Sequence, residues 1–229
     1  MSLIFNKPLG LQMLITVESR RQTAPEPSPN ALQVASMFGL GLDRAKTLSL
    51  VPRTDLRLLP NQLVFLTGPS GSGKSTLLAA LRAAMPSQTP VLDLNALPPL
   101  PDRALVDCFP DQPLAQTLRT LGQAGLSDAF VLLRKPRELS DGQRFRLRLA
   151  HVMALAPDTF TVILADEFAA TLDRVTAAVV ARNTRRWVST APVCLIAATT
   201  HDDLLDALAP DVLIEQHLGG RMDVHERPA

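Results

Sequence analysis

Nine consecutive residues, Gly68-Pro69-Ser70-Gly71-Ser72-Gly73-Lys74-Ser75-Thr76, fit the spacing G-x-x-x-x-G-K-[ST] in full. Glycines let the backbone bend until successive N–H groups converge. The start of a following helix adds partial positive charge, and together these cradle phosphate oxygens. In this pattern Lys74 bridges the terminal phosphates and Ser75 holds Mg²⁺ through its hydroxyl. A second set lies downstream, where the apolar run 162–165 ends in two adjacent carboxylates, Asp166 and Glu167. Such a run suits a buried strand, and an open parallel sheet places its ligands at strand carboxyl ends. There Asp166 can reach the metal shell, and Glu167 can aim at a water behind a γ-phosphate.

These residues need a strand before the loop and a helix after it. Residues 63–67 (LVFLT) are a continuous apolar run of strand length, and 75–85 form an Ala/Leu-rich helix ended by Pro86. The stretch 86–101 holds five prolines, which excludes long helices. Helices are expected over 114–125, 144–155, 172–188 and 202–208, and buried strands over 160–165 and 193–198. Upstream, 11–18 reads as a strand, 22–30 (QTAPEPSPN) as an exposed proline-rich loop, and 31–38 as a short helix or strand. The stretch 48–59 alternates imperfectly and ends in a turn at Pro60-Asn61. Apolar strands alternating with helices predict an α/β fold with a mainly parallel sheet covered on both faces.

The 229 residues suffice for one domain or two very small ones. With 23 Lys+Arg against 22 Asp+Glu, the charge gives no global case for nucleic acid or an anionic membrane. Cys108 and Cys194 have no Cys or His neighbours at ligand spacing, which argues against a disulfide framework or a zinc site. No apolar run approaches the roughly 18 residues of a membrane span, and the N-terminus lacks a secretory h-region. The expectation is a soluble cytoplasmic protein.

A phosphate loop with an acidic strand describes many NTPases, and GPSGSGKST also resembles the opening of guanylate-kinase-like enzymes. What separates them is Leu139-Ser140-Asp141-Gly142-Gln143, followed by RFRLRLAHVMAL. This stretch resembles the LSGGQ signature of the ATP-binding cassette (ABC) superfamily, and the resemblance runs from about Phe38 to the end. It implies a P-loop NTPase fold, an ABC-type core with a small antiparallel β subdomain and a shortened helical subdomain over 102–150, in one domain spanning 1–229. It implies ATP and Mg²⁺ as cofactors and ATP hydrolysis as the activity. Ala170-Thr171-Leu172-Asp173 resembles the D-loop, with Asp173 at the nucleotide interface. His201 stands where the family's switch histidine meets the γ-phosphate. Phe38 resembles the adenine-stacking aromatic, the alternative being a ring in the core. Two subunits of this family pack head to tail, so Ser140, Gly142 and Gln143 of one copy would complete the other copy's site.

Four departures qualify the resemblance. Asp141 replaces a glycine and puts negative charge near a polyphosphate, unless it turns outward or caps the helix. Phe168 follows the glutamate where the family usually has proline. Only 66 positions separate Lys74 from Ser140, a shortened docking stretch. The Q-loop residue is Gln112 by type or Asp107 by position, either as a ligand of Mg²⁺ or its water. Arg144, Arg146 and Arg148 fan around their helix and read as a solvated face more than a nucleic-acid stripe. These features predict a homodimeric ATP-driven clamp serving an unidentified protein or nucleic-acid partner rather than transport. The alternatives are a transporter's nucleotide-binding subunit, a small-molecule kinase, and a slow binding switch.

Overall fold

Strict alternation along the central strands decides what each face of the sheet packs against. In β3 (Gln62–Thr67), Leu63 and Phe65 enter one core and Val64 and Leu66 the other. The same split recurs in β5 (Thr161–Ala165) and β6 (Val193–Ala198), where Ile163 and Leu195 face one way and Leu164 and Ile196 the opposite way. Each fully buried Leu or Phe contributes roughly 1.5–3 kcal/mol, and a one-residue slip would reverse every inward side chain, so the register is strongly specified.

The structure is a computed structural model and describes residues 12–23, 26–41 and 46–227; the N-terminal stretch 1–11 lies outside the described residues. The sheet order is β4-β5-β6-β3-β7-β8, with β4 (Val91–Asp93), β7 (Val212–Gln216) and β8 (Met222–Glu226) completing it. All neighbours are parallel except β7 and β8. Leu66 pairs with Ala198 and Ala165 with Ala197, so the loops after β3, β5 and β6 leave the sheet side by side.

One face is covered by α3 (Leu114–Gln123), α5 (Asp141–Leu155) and α6 (Arg174–Val188). The other receives α2 (Lys74–Ala84) and an antiparallel ribbon of β1 (Met13–Thr23) and β2 (Lys46–Leu58). Ile15, Val17, Val51 and Leu56 of this ribbon join Leu77 and Leu81 of α2 in one core. Between β1 and β2 stands α1 (Pro29–Met37), started by Ser28, whose hydroxyl accepts from the Ala31 amide at 3.2 Å. The segment between β4 and α5 holds α3, the four-residue α4 (Ala129–Leu132) and two 3₁₀ turns, the shortened helical region the spacing predicted.

One expectation changes, one open alternative is decided, and two strands are added. The loop assigned to 22–30 is shorter, because β1 stays paired to β2 as far as Thr23 and α1 begins at Pro29, a favoured first helical position; residues 24–25 lie outside the description. The 31–38 stretch is a helix. Strands β7 and β8 were not foreseen, although Val212, Ile214 and Gln216 alternate inward.

Candidate functional site

The phosphate-loop residues leave β3 and re-enter helix at Lys74 through backbone that only glycine adopts freely. Gly68 and Gly73 have φ of +145° and +103°. A Cβ on Gly68 would lie 2.1 Å from the Gln216 carbonyl oxygen, and one on Gly73 would lie 2.8 Å from the Gln216 amide nitrogen. At Gly68 both the turn and the backbone of β7 demand glycine; at Gly73 the positive φ does, since the Gln216 side-chain end could shift. No side chain caps the start of α2, so its first amides remain available to an anion. Lys74 is buried, and its Nζ donates to the carbonyls of Gly68 at 2.7 Å and Pro69 at 2.9 Å. Burial pushes its ammonium below the usual lysine range, while the carboxylates of Asp166 and Glu167 oppose that shift.

The loop and the acidic strand meet in one cavity of about 400 Å³, whose walls include Gly71, Lys74, Ser75, Asp166, Glu167 and Thr199. Glu167 sits at φ +52° and Ala169 at +57°, left-handed conformations that cost roughly 1–2 kcal/mol in a non-glycine residue. Two contacts hold this turn. The Glu167 amide donates to the Asp166 carboxylate at 3.0 Å, and the Phe168 amide donates to the Ala198 carbonyl at 2.8 Å. Phe168 is fully buried and meets Phe145 of α5 edge-on. The ring standing in place of the family's proline is thus a core anchor beneath Glu167.

The structure does not bring Gln112 or Asp107 to this cavity. Instead Asn95, two residues beyond β4, donates its side-chain amide to the Asp166 carbonyl at 3.1 Å. The physical reason is pairing: β4 lies against β5, with Asp93 opposite Leu164, so the chain leaving β4 arrives beside Asp166. The signal was there in the short run VLD between Pro90 and Asn95, but three residues are too few for periodicity to register.

His201 follows the wall residues Thr199 and Thr200 without lining the cavity, and its amide donates to the Thr199 hydroxyl at 3.2 Å. Phe38 ends α1 with 74% of its surface exposed, which removes the alternative of a core ring; it is not part of the cavity wall. Ser140 caps α5, its hydroxyl accepting from the Gln143 amide at 3.3 Å while the Gln143 side chain accepts from the Ser140 amide at 3.1 Å. A Cβ on Gly142 would lie 3.0 Å from the Leu172 side chain, so the start of α5 presses against the segment before α6. Asp173 caps α6, and hydrogen bonds from Thr176 hold its carboxyl below the usual range. Asp141 is exposed and pairs with Arg144 at 2.5 Å, which counters its charge beside the helix start. Within one chain, then, Ser140, Gly142, Gln143 and Asp173 stand outside the walls of the phosphate cavity.

Residues 56–201 match the family model described as the AAA ATPase domain. The sn-glycerol-3-phosphate import ATP-binding protein of Rhodopseudomonas palustris is 30% identical, over 76% of this chain and 56% of that protein. The phosphonates import ATP-binding protein of Hyphomonas neptunium is 24% identical, over 77% of this chain and 80% of that protein. The chain thus spans little more than half of the first of these relatives. A dimeric ATP-binding cassette in a post-hydrolysis state with ADP and Pi superposes with TM-score 0.62 at 16% identity, covering 95% of this chain and all of that one. A dimeric bacterial ABC transporter cassette gives 0.63 at 17% identity over the same shares. These two similarities establish the fold.

Proposed function

The chain belongs to the ATP-binding cassette superfamily of P-loop ATPases, and from this we propose that two copies bind and hydrolyse Mg-ATP between the phosphate loop of one and the signature helix of the other. One observation carries the reading. Lys74, Ser75, Asp166 and Glu167 share a cavity that the Ser140–Gln143 segment of the same chain does not enter, so that segment is left to serve another copy.

The residues divide the work. Gly68, Pro69, Ser70, Gly71, Ser72, Gly73 and Thr76 form the loop and first turn that hold the phosphates, with amides at the start of α2 as donors. Lys74, already aimed at the loop's centre, neutralises phosphate charge. The Ser75 hydroxyl and the Asp166 carboxylate are hard oxygen donors facing one cavity. Two protein oxygens fit Mg²⁺, which keeps several waters and takes phosphate oxygens. When bound, the metal neutralises charge on the β- and γ-oxygens. Glu167 orients a water and takes its proton as the water's oxygen bonds to the γ-phosphorus and ADP departs. His201 senses the γ-phosphate from beyond β6, Asp173 holds the segment facing the second copy, and Phe38 offers an exposed ring to adenine. The two cores share one sheet, which supports one ATPase domain across the chain. Among the described residues no helix is long and apolar enough to cross a membrane.

A second reading has its own support. The relatives above are named as import ATP-binding proteins, and they lend nothing to the expectation of work other than transport. On this reading the same turnover drives a membrane partner, and co-purification with an integral membrane protein separates the two. The shared core is tested by Glu167→Gln: it should retain ATP and lose about 100-fold or more in turnover. Unchanged turnover would remove the assigned role.

A further inference from the structure

Beside the phosphate cavity, and sharing no wall residue with it, lies a second cavity of about 480 Å³. One side is the proline segment after Asn95, with Leu97, Pro98 and Leu100. The other is α5, with Leu147, Arg148 and His151. Its size falls in the range of small-molecule sites, which combine apolar walls with a few polar groups.

Two polar groups here have hydrogen-bonding capacity to spare. Among the described residues Arg148 has no carboxylate within ion-pair distance; its guanidinium makes one long contact, 3.5 Å, to the side-chain oxygen of Asn95. Arg144, one turn earlier, is by contrast occupied by Asp141 and by the Leu139 carbonyl at 2.7 Å. His151 is only 9% exposed, and among the described residues neither ring nitrogen has a hydrogen-bond partner. Its ring packs edge-on to Phe109 with centroids 6.2 Å apart. Burial lowers its pKa, so the ring is a neutral hydrogen-bonding group. His151 lines this cavity, where its ring can hydrogen-bond a ligand.

We propose that this cavity binds a small molecule with one anionic oxygen group, carboxylate or phosphate ester, on a compact apolar body. The anion pairs with Arg148, the body lies between Leu97, Pro98 and Leu147, and His151 makes a hydrogen bond at the closed end. Asp141 also lines the cavity, but it is paired with Arg144, which leaves Arg148 as the wall charge with capacity for a ligand and favours an anion over a cation.

The test is equilibrium binding to the full chain, a readout independent of ATP turnover. The probes are 2-naphthoate, 1-naphthyl phosphate and the neutral 2-naphthalenemethanol. At least one anionic probe should bind saturably and about tenfold more tightly than the neutral one, as a charge-assisted contact allows. Arg148→Gln, a change at an exposed position, should remove that advantage, and Leu97→Trp should block all probes by filling the cavity. Lys74→Ala should leave binding intact, which separates this site from the phosphate loop. Saturation by naphthoate alone or by naphthyl phosphate alone supports the site and identifies the head group. Equal binding to wild type, Arg148→Gln and Leu97→Trp would overturn the proposal. So would loss of binding in Lys74→Ala, or no saturation by any probe.

Discussion

The ring of Phe168 stands edge-on to that of Phe145, with centroids 5.5 Å apart and planes at 84°. Phe168 is the residue after Glu167, and Phe145 lies in α5 five residues past Ser140. The turn that aims the carboxylate and the helix that opens with the signature are thus packed through one pair of rings.

Truncating either ring should therefore destabilise the fold by about 3–5 kcal/mol. The double variant should fall short of additivity by about 0.5–1.5 kcal/mol, the worth of an edge-to-face pair. Phe168→Pro restores the family's usual residue but loses both the ring and the amide that donates to Ala198, so it should be at least as damaging as Phe168→Ala. Urea unfolding midpoints measure all four variants, and wild-type stability of Phe168→Pro would contradict the anchoring role.

The Asp141–Arg144 pair gives a prediction with a non-additive signature. Because the carboxylate is already turned to Arg144, Asp141→Gly should change ATP-dependent association by no more than about twofold, in keeping with the small worth of an exposed pair. Arg144→Gln frees the charge at the start of α5 and should weaken association several-fold, by about 1 kcal/mol. Adding Asp141→Gly to that variant should restore it. Sedimentation of each protein with Mg-ATP decides, and additive losses would count against this account of Asp141.

The phosphate loop and acidic strand were legible because their chemistry is written in contiguous residues. The LSDGQ stretch was legible for the same reason, although what it faces depends on a second copy. Asn95 was not, because its role comes from β4 pairing beside β5, a relation between residues about 70 apart in sequence. Phe168 read as a departure from a pattern; only the packing against Phe145 gives it a purpose. Strand β7 was missed although the Gln216 backbone, by closing on Gly68, explains why that position must be glycine.

The buried imidazole of His151 predicts an acid-sensitive contribution to stability. Its ordinary pKa is 6.5 and burial lowers it in the folded chain. Below pH 6.5 the unfolded chain takes up a proton that the folded chain refuses. Stability therefore falls as pH drops through 6.5, by at most about 1.4 kcal/mol per unit, and levels off below the folded pKa. Arg144 and Arg148 of the same helix and Asp141 line the cavity that His151 also lines. His151→Gln should show a shallower loss between pH 7 and 5 in urea titrations; His217 and His225, paired with Asp223 and Glu215, cancel in the comparison. Parallel slopes would contradict it.

The most direct measurement is the molar mass of Glu167→Gln in solution, by light scattering, with and without Mg-ATP. The account predicts 24.8 kDa without nucleotide and twice that mass with it, the doubling abolished by Ser140→Arg in the same background. A mass unmoved by saturating ATP, or a doubled mass indifferent to Ser140→Arg, would contradict a nucleotide shared between the phosphate loop of one copy and the signature helix of the next.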